Sequence, residues 1–85
     1  MKSFSYTVKD EIGLHARPAG VLSQKAKEFE SEIIIKKGAK EVNATRLMML
    51  MSMGIKSGDT VEVSASGSDE ERAIETIKKF FEENL

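Results

Sequence analysis

Eighty-five residues with 13 basic and 14 acidic side chains, a formal net charge of -1, suffice for one small core and leave little room for an enclosed substrate pocket. The charge balance excludes a global basic field for nucleic acid. Without cysteine there is no disulfide framework or thiolate metal site, and one histidine cannot build a multi-histidine centre.

The N-terminal run Met1-Lys2-Ser3-Phe4-Ser5-Tyr6 alternates and does not form an apolar signal core. No apolar run approaches the ~20 residues a membrane span needs, so a soluble cytoplasmic chain without direct membrane insertion is expected. Phe4, Tyr6 and Val8 alternate with Ser3, Ser5 and Thr7, the pattern of a half-buried strand. Pro18 has its φ fixed near the helical value and no N–H, which places it in a first turn and starts a helix at about Ala16. Ala19, Leu22, Ala26 and Phe29 then step by three and four, carrying the helix to about Phe29. Ile33-Ile34-Ile35 is β-branched throughout and reads as a strand. Gly38-Ala39 reverses the chain into Glu41-Val42-Asn43, completing a hairpin.

Beyond Asn43 the spacing of Leu47, Leu50, Met51 and Gly54 fits one face of a short helix over residues 46 to 53, with Asn43 or Thr45 as its cap and Gly54 as its terminator. Met48, Met49 and Met53 cannot all share the inward face with Leu47 and Leu50. They serve either as gap fillers in an irregular core or as an adaptable partner surface. Gly58-Asp59 turns into the alternating strand Thr60–Ala65. Ser68 with Glu71 has capping-box spacing, and Ala73, Ile74, Ile77, Phe80 and Phe81 form the stripe of a last helix, from about Asp69 to Asn84. The expectation is one α+β domain over residues 1–85, ordered β-α-β-β-α-β-α. A four-stranded antiparallel sheet covered on one face by three helices makes it an open-faced sandwich.

The chemistry gathers in Gly13-Leu14-His15-Ala16-Arg17-Pro18-Ala19. A lone histidine before a helix is ordinarily a cap or a half-buried polar residue. Three features argue for more here. Gly13 permits an abrupt turn that leaves the imidazole at the helix tip. The positive helix N-terminus favours a neutral ring with a nitrogen lone pair free for attack. The N–H groups of Ala16 and Arg17, with the Arg17 guanidinium, favour a dianionic group once it is attached. The helix terminus contributes about 0.3–1 kcal/mol and each charge-assisted hydrogen bond about 1.5–3 kcal/mol, enough to steady a labile N–P bond without trapping it. Reversible phosphoryl transfer fits. A hydrolytic triad does not, because Asp10 and Glu11 have no evident means of orienting the ring.

These seven residues resemble the active-site signature of HPr, the histidine-containing phosphocarrier family of the bacterial phosphoenolpyruvate-dependent sugar phosphotransferase system. The likeness extends over the chain, through Leu47-Met48-Met49-Leu50-Met51-Ser52-Met53 and Ser64-Ala65-Ser66-Gly67. It implies that Nδ1 of His15 accepts a phosphoryl group from phospho-Enzyme I and passes it to IIA domains or proteins of sugar permeases. Arg17 would assist, and no cofactor or metal is implied. It further implies a partner-binding surface of Arg17, Lys27, Leu47, Met48 and Met51, to which Arg46 adds a cation suited to acidic partners; a monomeric carrier that does not bind nucleic acid is expected. Two positions depart from the family. Many members carry a regulatory serine where Arg46 stands, so that phosphorylation is not implied here, and many carry a small polar residue where Ile12 stands. The competing expectation is an HPr-like regulatory adaptor or specialised paralogue that acts mainly through protein binding.

Overall fold

Alternation along the strands decides which face of the sheet is buried. The computed structural model describes residues 1–85, with β1 (Lys2–Thr7), α1 (Ala16–Lys27), β2 (Glu32–Lys37), β3 (Lys40–Asn43), α2 (Leu47–Ser52), β4 (Thr60–Ser66) and α3 (Glu70–Asn84). The four strands form one antiparallel sheet in the order β1-β4-β2-β3. Phe4 lies opposite Val63, Val63 opposite Ile35, and Ile35 opposite Val42, so one row of side chains crosses every strand on the inner face. The next row, Ser5, Glu62, Lys36 and Glu41, is polar and solvent-facing, with alternating charges opposite one another. The two-residue turn Gly38-Ala39 closes the hairpin, with Gly38 at φ 59°.

The helices cover the apolar face. α3 inserts Ala73, Ile77, Phe80 and Phe81. The fully buried Phe81 ring meets Phe4, Tyr6 and Phe80 edge-on, at centroid distances of 5.8, 5.5 and 6.0 Å. α1 inserts Ala19, Leu22 and Ala26 and also buries Ser23, whose hydroxyl donates to the Thr45 carbonyl at 3.0 Å and so ties α1 to the approach to α2. Phe29 falls just beyond the helix, half-buried beneath the Arg72 guanidinium at 5.2 Å. No helix is long and apolar enough to cross a membrane.

Local expectations fail at three places, each for a physical reason. Ser68 and Glu71 make no capping box: Ser68 Oγ donates to the Glu30 carboxylate at 2.9 Å, and Glu70 accepts from Gly67 N–H at 3.2 Å. Asp69 turns its carboxylate across to β2's approach, accepting from the Glu30 and Ser31 N–H groups at 2.9 Å each and from the Ser31 hydroxyl. A tertiary joint has taken the Ser68 hydroxyl and the Asp69 carboxylate that a local cap would have used. Neither Asn43 nor Thr45 caps α2. Asn43 Oδ1 instead accepts from the Thr45 N–H and hydroxyl, shaping the turn before a helix whose N-cap position is Arg46. Finally, α2 buries only Leu50 in its length, with Met53 buried just after it, whereas Leu47 and Met51 face solvent. The helix is too short to present two full apolar faces, and Leu50 with Met53 forms the side that is buried.

Candidate functional site

The loop from Val8 to His15 is held at both ends and in the middle. Val8 N–H donates to the Asp59 carbonyl at 2.9 Å, and the Val8 carbonyl accepts from Gly58 at 2.8 Å. Lys9 and Asp10 N–H groups both donate to the Leu85 carbonyl, at 2.5 and 2.8 Å. The Asp10 carboxylate accepts from the N–H groups of Ile12 and Gly13, each at 3.2 Å, which makes a compact turn before the histidine. Gly13 has φ 79°, and a Cβ there would lie 2.6 Å from the Ile55 carbonyl oxygen and 2.8 Å from Lys56 Cα. Only glycine meets both demands. Leu14 then donates to that Ile55 carbonyl at 3.0 Å and buries its side chain.

His15 follows at once, at the N-cap of α1, with extended backbone angles and no side-chain capping bond. Its carbonyl accepts the first helical hydrogen bond, from Ala19 at 2.9 Å. The imidazole is exposed and has no partner in the protein. Pro18 has no N–H, so the free donors of the first turn are those of Ala16 and Arg17, and no acid in that turn competes for them. At the other end, Lys25 and Lys27 oppose the negative end of the dipole. His15 shares a shallow groove with Asp10, Ile12, Arg17, Pro18, Val21 and Asn84. Its lining mixes polar and apolar side chains, with Ile12 67% exposed. A phosphoryl group on the ring would lie near two backbone donors and a guanidinium, the setting suited to a transferable dianion.

The platform under this loop is the segment after α2. Gly54 ends the helix at φ 65°, as its position implied, and its carbonyl accepts from Lys37 Nζ at 2.8 Å. Lys37 also pairs with Asp59 at 2.8 Å, and Asp59 accepts from Lys56 N–H at 2.8 Å. The hydrogen bond from Lys37, followed by that from Lys56, holds the Asp59 carboxyl below its ordinary range.

The other expected site residues lie elsewhere. Lys27, Arg46, Leu47 and Met48 line a second groove with Thr45 and Met49, and Met51 is exposed outside both grooves. The structure therefore lines one groove with His15 and Arg17 and another with Lys27, Arg46, Leu47 and Met48. The supports that sequence reasoning missed are Asp10, Ile55, Lys56, Asp59 and Leu85. Of these only Asp10, three residues before a glycine, left a local signal.

The family model described as the PTS HPr component phosphorylation site matches residues 2–83. The chain belongs to the HPr family. Among HPr relatives, the phosphocarrier protein HPr of Mycoplasma genitalium is 40% identical over 85 residues, covering 99% of this chain and 97% of that one. The HPr-like protein Crh of Halalkalibacterium halodurans is 47% identical over 75 residues, covering 88% and 89%. Solved HPr structures agree with the fold. HPr-C-His from Thermoanaerobacter tengcongensis superposes with a TM-score of 0.91 at 43% identity, covering 96% of this chain and 92% of that one. An HPr dimer from the same organism gives 0.77 at 42%, covering 98% and 95%. As a member of the HPr family the chain is a phosphocarrier of the phosphotransferase system.

Proposed function

We propose that His15 is the phosphoacceptor and that the carrier shuttles between phospho-Enzyme I and the IIA domains or proteins of sugar permeases. Nδ1 of the ring attacks phosphorus as the donor's bond to phosphorus breaks, and the reverse exchange delivers the group to the acceptor. The observation that supports this best is an exposed, unpartnered imidazole at an uncapped helix start, beside the free N–H groups of Ala16 and Arg17. Those donors and the Arg17 guanidinium take up the charge of the transferred group. Arg17, Lys27 and Arg46 supply positive charge to acidic partners, and Leu47, Met48 and Met51 supply apolar contact. The chain acts as one domain and as a monomeric cytoplasmic carrier, a substrate of enzymes with no turnover of its own.

The test is incubation with phosphoenolpyruvate and Enzyme I. The wild-type chain should take up an acid-labile, alkali-stable phosphate and His15→Ala should not; label on the alanine variant would overturn the assignment. The similarity to a Crh protein favours one other reading, an adaptor that works by binding alone. That reading predicts capture of its partner undiminished by His15→Ala.

A further inference from the structure

The chain has no cysteine, so all its oxidisable sulfur is in five methionines, and three of these lie within the six residues of α2. Met48 is 77% exposed, Met49 54% and Met51 41%, whereas Met53, just past the helix, is 3% exposed. Met1 is exposed too, but its amine pairs with Glu70 at the sheet end of α3, away from both grooves. A compact fold seldom presents several thioethers to water on one short helix, because burying them is favourable.

We propose that α2 is a peroxide-sensitive modification site, with Met48 the first of its thioethers oxidised, and that the sulfoxide impedes docking of the phosphoryl donor. The second half rests on the reading that α2 is a docking surface. In the oxidation, a sulfur lone pair attacks one oxygen of hydrogen peroxide; the S–O bond forms as the O–O bond breaks, sulfur gives up two electrons, and the remaining oxygen leaves as water. Reversal needs a two-electron thiol reductant of the methionine sulfoxide reductase class, which becomes a disulfide and releases the oxygen as water. These thiols come from the reductase.

The placement makes the change local. Leu50 and Met53 carry the packing of this segment, so oxidation of Met48 leaves the core intact. Lys27 and Arg46 line the same groove as Met48 and Met49, which gives the new sulfoxide oxygen cationic hydrogen-bond donors. The patch turns from apolar to polar, beside cations that line the same groove.

The experiment treats the intact chain with graded hydrogen peroxide, maps oxidation by peptide mass spectrometry, and measures phosphoryl acceptance from Enzyme I. Met48 should oxidise first among the α2 sulfurs and Met53 last. KM for the carrier should rise roughly tenfold, the loss of about one good apolar contact, with kcat nearly constant. Methionine sulfoxide reductase should restore it, and Met48→Leu, compared with its own untreated sample, should resist peroxide. Oxidation of Met53 in step with Met48 would overturn the proposal, as would a Met48 sulfoxide that left KM unchanged. Met48→Gln, assayed without peroxide, separates the two claims. An unchanged KM in that variant defeats the docking reading, whereas a raised KM with Met48 inert to peroxide defeats the oxidation proposal alone.

Discussion

At Gly13 a conformational and a steric demand fall on one residue, which makes it the most sensitive position outside the reactive groups. Gly13→Ala places a Cβ against the Ile55 carbonyl and forces alanine to φ 79°. The backbone strain alone costs about 1–3 kcal/mol, and the close contact adds to it. The expected result is a lower urea midpoint together with slower phosphorylation, since Leu14 and His15 move with the turn. Arg17→Lys tests a different property. It keeps the charge and loses the planar fork, so acceptance should slow even though the net charge is unchanged; rates equal to wild type would show that charge alone suffices. The glycine, histidine, arginine and proline were all legible from their types and spacing. The carbonyl of Ile55 and the backbone of Lys56 were not, because nothing in a sequence says which distant main-chain atoms will crowd a turn.

Among the elements, α2 shows how a short helix divides its work. Leu50 is fully buried and Leu47 is not, so Leu50→Ala should cost about 2–5 kcal/mol in equilibrium unfolding, whereas Leu47→Ala should leave stability nearly unchanged and act on partner affinity. The reverse ranking would mean the helix is rotated about its axis. The periodicity of Leu47, Leu50, Met51 and Gly54 announced a helix but mis-set its buried face, since each residue turns a helix by about 100° and one and a half turns are too brief to fix the phase.

The joint at the start of α3 was hidden for a related reason: Ser68, Asp69 and Glu70 carry the composition of a local cap while spending much of it on Glu30 and Ser31. The Ser31 hydroxyl and then the Glu30 N–H hold the Asp69 carboxyl below its ordinary value. A depressed folded-state pKa stabilises fully above the unfolded value, about 3.9, and the stabilisation is lost as pH falls through the lower folded value. Thermal melts from pH 6 to pH 2 should therefore show an acid limb that is shallower in Asp69→Asn, alongside a lower Tm at neutral pH. An unaltered acid limb would place the titration elsewhere, with Asp59 the next group to replace.

Across the whole molecule the largest single investment is Phe81, which three other rings meet edge-on beneath the sheet. Phe81→Ala should cost about 3–5 kcal/mol, most of the stability of a small domain, and calorimetry should find the variant close to unfolded at 37 °C. The stripe containing Phe81 and the element order were plain from the sequence. The strand order was not, because alternation says which face of a strand is buried and is silent about its neighbours. That order has a kinetic consequence. β4 lies between β1 and β2, and Lys2 must find Ala65 before the first strand has any partner. While the chain is being synthesised, β1 and the histidine loop emerge early and stay without a template; the turn that props Gly13 is itself fixed by the residues leading into β4. The reactive imidazole thus acquires its surroundings only after most of the chain has been made, and a carrier cut short before β4 would display the motif without the geometry that gives it a use.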